Sequence, residues 1–371
     1  MKKCLLIDDL ALKGWKSVIE KVVMKTIGNL EVATLFEEAL KKLEEKYDVI
    51  FLDVRLTEKD HEVNDIIEYT GFKILKEIKK DFLKVNFSTP IILITASNKI
   101  WNIDAFRDYG VDAYYIKEHP DYIFSKENSL SNLKNLQNNF LNLVEVGAKR
   151  KEIWDLTSSI IELINKHPYF KDPDSKYHNI KNRIIDKLKL GYSHLFKNQT
   201  EIEKELLFSN NETLSFIIFW SILEEISKGF TNISVTWNDV FNRNGNWKFR
   251  NKDYFIEYII KQDSYKINYD PKTGKKDILI KDERNKYHNG IINLSDQIYS
   301  LIFAYAKNEE RNFLIQSFKE INKYRNEVDF IHSSVKNILT VKLVDLESNK
   351  KAYEMNVKIL ELIHKIISIK T

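Results

Sequence analysis

The stretch "YDVIFLDVRL" (Tyr47–Leu56) decides the fold of the first part of this chain. Its centre, Val49–Leu52, is apolar at every position, whereas a strand with one solvated face would alternate apolar and polar residues. A strand that is apolar throughout is typical of a parallel sheet covered by helices on both faces. A carboxylate, Asp53, follows directly. We therefore place Asp53 at the carboxyl end of a buried parallel strand.

The same pattern of short apolar runs and amphipathic segments extends over the first 125 residues. The predicted strands are Cys4–Ile7, Glu31–Leu35, Val49–Leu52, Ile91–Thr95 and Ala113–Ile116. The predicted helices between them are Leu12–Met24, Glu37–Glu45, Phe72–Phe82 and Ile100–Tyr109. Strands that alternate with helices indicate a doubly wound α/β domain with a parallel sheet.

Polar side chains stand at the carboxyl ends of four of these strands, at one edge of the expected sheet. They are Asp8, Asp9, Asp53, Thr95 and Lys117. Ligands of open parallel sheets bind beyond the carboxyl ends of the strands. Three carboxylates gathered there repel each other unless a cation neutralises them, and a site with only oxygen ligands favours Mg²⁺. A lysine and a hydroxyl complete a cradle for a transferred phosphoryl group.

Four ordered motifs in this region are "CLLIDDL", "YDVIFLDVRL", "PIILITAS" and "GVDAYYIKE". Together they resemble the response-regulator receiver (CheY-like) family over about residues 1–125. The resemblance implies a sensor histidine kinase or a phosphotransfer protein as partner. It also implies the following roles: Asp53 accepts the phosphoryl group, Asp8 and Asp9 hold Mg²⁺ with Asp53, Thr95 senses the phosphoryl group, Lys117 contacts it, and Tyr114 occupies the aromatic switch position.

The chain departs from the family pattern around the phosphoacceptor. The proline that usually follows it is missing, and the loop from Leu56 to Thr70 is longer than usual. The residue after Lys117 is Glu118 where proline is customary, with Pro120 two positions later. The long loop either covers the pocket and slows phosphoryl exchange or carries a surface for a partner. Because the five pocket residues are intact, we expect a domain that is competent for phosphorylation.

One apolar stripe at helical spacing marks residues 126–165. It consists of Leu130, Leu133, Leu136, Phe140, Leu143 and Val146. Apolar residues three or four positions apart predict a single long helix. We interpret it as a linking or dimerising helix. The alternative is that its first half packs on the first domain as that domain's last helix.

Residues 166–371 have the pattern of a mainly helical domain with a β-rich insertion at about 231–281. The predicted helices are Thr213–Ile226, Leu294–Tyr305, Asn312–Ser334 and Lys351–Ile369. The predicted strands are Ile233–Trp237, Tyr265–Tyr269 and Asp277–Lys281. The segment "YDPKTGKKD" places Pro271 and Gly274 at turn spacing, which predicts a hairpin.

An Arg–His pair stands out in "INKYRNEVDFIHSSV" near the C-terminus. Seven helical positions turn through about 700°, so Arg325 and His332 share one helix face. Arginine matches phosphate oxygens, and histidine can exchange a proton with an RNA 2′-hydroxyl without any metal. The stretch resembles the HEPN (higher eukaryotes and prokaryotes nucleotide-binding) superfamily over about residues 290–371. That resemblance implies Arg325, Asn326 and His332 as catalytic residues, RNA as substrate and a homodimer that pairs two motifs.

Other interpretations of these residues stay open. Arg325 can pair with a nearby carboxylate such as Glu327 or Asp329 while His332 caps a helix end, which leaves a fold without catalysis. The segment "ERNKYHNG" holds a second, tighter set that we assign to a loop or cap, namely Arg284, Asn285 and His288. The aromatic and basic segment Trp237–Tyr258 either contacts nucleic acid or belongs to a core and its solvated face.

Charge, cysteine content and apolar runs argue against a disulfide-stabilised or membrane-spanning protein. The 371 residues carry a net charge of +4, divided into −3 over residues 1–125 and +7 over the rest. A lone cysteine, Cys4, excludes an internal disulfide framework and fits a reducing compartment. The longest apolar stretch, Leu214–Leu223, is about half of a bilayer span. We expect a cytoplasmic protein without a membrane anchor.

These observations predict a two-component response regulator that is phosphorylated on Asp53 and controls an HEPN-like effector. The effector is expected to be a metal-independent endoribonuclease. The alternative is a phosphorylation-controlled regulator that binds a protein or a nucleic acid and has no catalytic output.

Overall fold

We describe a computed structural model of the chain. It describes residues 1–25, 27–63, 65–96, 106–117, 126–167, 170–171, 176–196, 211–230, 246–251, 254–259, 265–269, 276–280, 298, 302, 308–327 and 346–368. The chain forms two compact units, Met1–Asp155 and Leu156–Thr371. The boundaries predicted at residues 125 and 165 remain predictions.

The N-terminal unit is built on a five-stranded parallel sheet with the order β2-β1-β3-β4-β5. Its strands are β1 (Lys2–Ile7), β2 (Gly28–Ala33), β3 (Val49–Asp53), β4 (Ile91–Thr95) and β5 (Ala113–Ile116). Every residue of β3 and β4 is buried, as expected for central strands covered on both faces. The predicted doubly wound α/β fold is thereby confirmed.

Helices cover both faces of this sheet. They are α1 (Trp15–Val18), which continues as a π-helical segment over Ile19–Met24, α2 (Phe36–Lys42) and α3 (Thr70–Lys79), together with short 3₁₀ turns at Ala11–Lys13, Glu58–His61 and Ile66–Glu68. Phe72 and Leu75 of α3 belong to the hydrophobic core on one face. Ile19 and Val23 belong to the core on the other face. The sheet is therefore held between two separate apolar layers.

A 41-residue helix, α4 (Lys126–Lys166), follows the sheet. Leu136 and Phe140 are buried in the same core as Ile19 and Val23, and Phe140 stacks on Phe51 of β3 with ring centroids 5.8 Å apart. The first half of α4 thus packs as the last helix of the N-terminal unit, which was the alternative interpretation of the apolar stripe.

Further along, α4 is fixed at the amino edge of the sheet, opposite the acidic side chains. Gly147 lies so close to Pro90 that a Cβ atom would come within 2.9 Å of its ring. Arg150 forms an ion pair with Asp112 at 2.5 Å. The indole of Trp154 donates a hydrogen bond to the carbonyl of Phe82 at 2.7 Å. These contacts fix α4 against the sheet almost as far as Asp155, the last residue of the unit.

The C-terminal unit is mainly helical. Besides the end of α4 it contains α5 (Lys176–Leu195), α6 (Asn211–Phe230), α7 (Asn308–Glu327) and α8 (Leu346–Ser368). The α6 helix packs against α5 and α8, and α7 packs against α8. Its core is aromatic: Trp220 stacks on Phe318 at 5.9 Å, and Phe216 meets Tyr324 edge to face at 4.8 Å.

A four-stranded sheet of order β6-β7-β9-β8 lies within the predicted β-rich insertion. Its strands are β6 (Asn246–Asn251), β7 (Tyr254–Ile259), β8 (Tyr265–Tyr269) and β9 (Lys276–Ile280). β8 and β9 pair antiparallel, which confirms the hairpin predicted across Pro271 and Gly274. The predicted strand Ile233–Trp237 lies outside the described residues. None of the helices in the described ranges is long and apolar enough to cross a bilayer.

Candidate phosphoryl-transfer site

Three carboxylates meet at the carboxyl edge of the N-terminal sheet. Ile7 of β1 and Leu52 of β3 are paired in register, so the next residues lie at the same level: Asp8 directly after β1 and Asp53 as the last residue of β3. Asp9 joins them, and the oxygens of the three side chains lie within 4.8 Å of one another. Asp8 and Asp53 are buried, whereas Asp9 is exposed. The predicted acidic cluster therefore exists, with one open side.

Lys117 reaches this cluster from the end of β5. Its ammonium donates a hydrogen bond to Asp8 Oδ2 at 2.8 Å and a second, short one to Asp53 Oδ2. Burial alone would lower the pKa of Lys117, but attraction from Asp53 and Asp8 outweighs it and raises the pKa. The amine consequently stays charged at neutral pH. Its Nζ also lies 5.2 Å from the ring centroid of Trp15.

The electrostatics of the pocket favour an additional cation. Burial raises the pKa of Asp53 to about 6, Lys117 opposes this shift, and Asp8 adds to it. Burial and the neighbouring Asp8 also raise the pKa of Asp9. One lysine is thus too little positive charge for three carboxylates. Oxygen ligands of this kind fit a hard divalent ion, so Asp8, Asp9 and Asp53 are the residues that would hold Mg²⁺.

Thr95 and Tyr114 occupy the positions expected from the strand register. Thr95 is buried at the end of β4, next to Ile116 in β5, and its carbonyl accepts a hydrogen bond from the Lys117 backbone at 2.6 Å. Tyr114 is 41% exposed on β5, and the guanidinium of Arg107 lies 5.8 Å from its ring centroid. Thr95 therefore shares the pocket edge with Asp53, while Tyr114 lies on the surface of an edge strand.

The loop between β3 and α3 is organised by a buried carboxylate that the sequence did not single out. Asp60 accepts hydrogen bonds from the backbone of Leu56 at 2.8 Å, of Thr57 at 3.0 Å and of Thr70 at 3.0 Å, and from the Thr70 hydroxyl at 2.9 Å. Burial alone would raise the pKa of Asp60, but these hydrogen bonds outweigh it and lower the pKa. An Asp three residues after Thr57 is the sequence signal of such a capping arrangement.

Gly71 lets α3 begin directly against the end of β3. A Cβ atom there would come within 2.1 Å of the Asp53 carbonyl oxygen and 2.7 Å of the Val54 carbonyl oxygen. The Gly71 amide donates a hydrogen bond to that same Val54 carbonyl at 3.1 Å. A side chain at residue 71 would therefore force the helix and the strand apart.

We expect Gly71→Ala to lower the free energy of unfolding by about 1–3 kcal/mol because backbone must move to admit the methyl group. Mg²⁺ affinity should fall as well, since Asp53 moves with its carbonyl. The matched control is Gly110→Ala, at a residue with φ of 93° whose Cβ would meet only the Lys79 side chain, at 3.4 Å. That variant should lose stability and keep its Mg²⁺ affinity. Denaturant titrations and calorimetric Mg²⁺ titrations measure both quantities, and unchanged Mg²⁺ binding in Gly71→Ala would contradict the prediction.

The C-terminal motif is only partly described. Arg325 lies in the last turn of α7, where it donates a hydrogen bond to the Asn326 side chain at 3.1 Å and stacks over Trp220 at 5.6 Å. Asn326 is exposed. His332 lies outside the described residues, as do the alternative set Arg284, Asn285 and His288.

Comparisons with known proteins concern the N-terminal part. No protein-family model and no curated protein matches this chain. Among solved structures, a CheY-like receiver domain protein from Methanospirillum hungatei JF-1 is 20% identical, with 38% of this chain and 98% of that chain covered and a TM-score of 0.27. A two-component response regulator from Clostridium difficile is 24% identical (37% and 97% covered, TM-score 0.27). A Francisella response-regulator receiver domain is 25% identical (38% and 99% covered, TM-score 0.26).

Proposed function

We propose that the N-terminal unit is a receiver domain in which Asp53 accepts a phosphoryl group from a sensor histidine kinase or a phosphotransfer protein. The observation that carries this proposal is the convergence of Asp8, Asp9 and Asp53 with the Lys117 ammonium at the carboxyl edge of the sheet. Asp53 ends β3, the central strand of the sheet, and Lys117 donates a hydrogen bond to one of its oxygens.

Asp53, Lys117 and Thr95 have different roles in the proposed phosphoryl transfer. Asp53 Oδ attacks the phosphorus of the donor, an O–P bond forms, and the bond to the donor's leaving group breaks. Bound Mg²⁺ would neutralise charge on the phosphoryl oxygens. Lys117 offers a fixed positive charge to the same oxygens, and the hydroxyl of Thr95 at the neighbouring strand end offers a hydrogen bond. The full chain should therefore be modified by a small phosphodonor without any partner protein.

The test is to incubate the full chain with phosphoramidate and Mg²⁺ and to measure its intact mass and the modified residue. We expect a single phosphoryl group on Asp53, and none in Asp53→Asn or in the presence of EDTA. Asp108→Asn, which removes an exposed carboxylate of the same unit, is the control and should be modified like the wild type. Equal modification of wild type and Asp53→Asn would refute the assignment.

For the C-terminal unit we propose an output controlled by that phosphorylation, with RNA cleavage by paired Arg325, Asn326 and His332 sites of a homodimer as the first candidate. It is supported by the resemblance of the sequence around Arg325 to HEPN domains and by the helical character of the unit. RNA cleavage is measured with and without beryllofluoride as phosphoryl mimic, and wild type is compared with His332→Ala. Intact RNA under both conditions would refute this candidate, and sedimentation measures the proposed dimer.

The second candidate is a regulator that binds a protein or a nucleic acid and cleaves nothing. One observation favours it: the Arg325 guanidinium stacks on Trp220, inside the aromatic core, which is a structural role for an arginine. In that case Arg325→Ala lowers the melting temperature of the C-terminal unit and changes no RNA. Loss of an RNA-cleaving activity at unchanged melting temperature would contradict this second candidate.

A further inference from the structure

Arg55 is a cation placed two residues after the proposed phosphoacceptor. Its backbone amide donates a hydrogen bond to Asp53 Oδ1 at 3.3 Å, on the carboxylate oxygen opposite the one that Lys117 contacts. An extended arginine side chain is longer than the 3.3 Å between the Arg55 backbone nitrogen and Asp53 Oδ1. The Arg55 guanidinium can therefore reach a group attached to Asp53 without any movement of the backbone.

The guanidinium of Arg55 rests on a platform formed by the loop between β3 and α3. It lies 5.3 Å from the ring centroid of the buried Tyr69, and its Nη1 lies 3.5 Å from His61 Nδ1. Asp60 fixes both ends of this loop through Leu56 and Thr70. The platform is thus held by the loop's own hydrogen bonds, so it does not depend on Arg55 and would persist after the guanidinium left it.

The present contacts of Arg55 leave its hydrogen-bonding capacity largely unused. Its Nε is buried and has no hydrogen-bond partner. Among the described residues, the one side-chain hydrogen bond of its guanidinium is the 3.5 Å contact to His61. A cation–π contact and a long contact to an imidazole are weaker than charge-assisted, bidentate hydrogen bonds to phosphate oxygens. A phosphoryl group within reach would therefore attract the guanidinium away from Tyr69 and His61.

The charge balance of the pocket also favours binding of the Arg55 guanidinium to a phosphoryl group. Three carboxylates and Lys117, with one bound divalent cation, sum to zero. Phosphorylation of Asp53 adds about one further negative charge. Lys117 already forms ion pairs with Asp8 and Asp53. Among the described residues, the side-chain contacts of Arg55 are instead with His61 and Tyr69.

We propose that Arg55 is a phosphoryl-binding residue: when Asp53 carries a phosphoryl group, the guanidinium leaves His61 and Tyr69 and binds a phosphoryl oxygen. This inference rests on the proposed function of Asp53 and adds a consequence for the long loop. Phosphorylation would remove the guanidinium from the imidazole of His61 and from the ring of Tyr69. The β3–α3 loop then presents a different surface in the two states of the domain.

The experiment measures binding of beryllofluoride to the full chain at saturating Mg²⁺ by ¹⁹F NMR, together with the ring signals of His61. We expect Arg55→Gln to bind about tenfold more weakly than wild type, and Arg55→Lys to be intermediate because it keeps the charge but loses the planar fork. The His61 signals should move on binding in wild type and stay in place in Arg55→Gln. Lys59→Gln, which removes an exposed charge from the same loop, is the control and should resemble wild type.

Two outcomes overturn the inference while the proposed function stands: equal beryllofluoride affinity in wild type and Arg55→Gln, or His61 signals that do not move in wild type although beryllofluoride binds. If wild type neither binds beryllofluoride nor accepts a phosphoryl group on Asp53, the proposed function itself fails and the inference falls with it. Circular dichroism of each variant verifies that its fold is retained.

Discussion

Phe140→Ala is expected to lower the free energy of unfolding of the N-terminal unit by about 3–5 kcal/mol, the range measured for removing a fully buried aromatic ring. Phe140 is 0% exposed and stacks on Phe51 of the central strand β3. The cavity that the substitution leaves lies between α4 and the sheet, where close packing prevents neighbouring side chains from filling it. A loss of this size is a large part of the stability of an ordinary domain.

The adjacent residue on the same helix provides the matched control for Phe140. Leu141 is 41% exposed, so Leu141→Ala should change the free energy of unfolding by about 0.5 kcal/mol or less. Denaturant titrations followed by far-ultraviolet circular dichroism measure both variants. Equal effects of the two substitutions would show that α4 does not pack on the sheet and would favour the linking helix expected from the sequence.

Asp53→Asn is expected to stabilise the metal-free protein at neutral pH. The pKa of Asp53 is raised to about 6 in the folded protein, whereas an aspartate in an unfolded chain has a pKa of about 3.9. The folded state therefore holds its proton more tightly, and this contribution to stability is complete below the unfolded pKa and lost as the pH rises through about 6. Two pKa units correspond to at most about 3 kcal/mol. Asparagine has no proton to lose and avoids this penalty.

The measurement for Asp53 is the free energy of unfolding of wild type and Asp53→Asn in EDTA between pH 4 and pH 8. The difference should grow in favour of the variant up to about pH 6 and then stay constant. Mg²⁺ at a hundred times its dissociation constant should restore about 2.7 kcal/mol to the wild type alone. Asp108→Asn, at an exposed carboxylate, should show neither effect. A difference that is independent of pH would contradict the raised pKa of Asp53.

Much of the pocket was predictable because strand ends are visible in a sequence. The predicted bounds of β4 and β5 agree with the structure, and the residues that meet are Asp53, which ends β3, and Asp8 and Lys117, which follow β1 and β5. The antiparallel pairing of β8 and β9 was predictable for a similar local reason, since Pro271 and Gly274 between them are at turn spacing in the sequence. The strands β6 and β7 were missed although Trp247 and Phe249 alternate with Lys248 and Arg250, because an aromatic and basic segment also suits a nucleic-acid surface.

The partners of single side chains were not predictable. The spacing of Thr57 and Asp60 signals a local cap, but only the folded loop brings Thr70 to Asp60. The apolar stripe of α4 predicts that one face of the helix is buried. Periodicity does not predict whether that face packs against the adjacent sheet or against a second chain. The sequence suggests His332 as the functional partner of Arg325, whereas in the structure the Arg325 guanidinium contacts the indole of Trp220.

The sequence by itself determined the parallel α/β fold of the first unit and which residues end its strands, because burial on both faces and strand periodicity are local properties of the chain. The tertiary structure alone decided how deeply Asp8 and Asp53 are buried, where the Arg55 guanidinium lies and what covers Phe140. Those features depend on distances between residues far apart in the chain, and no local pattern encodes such distances.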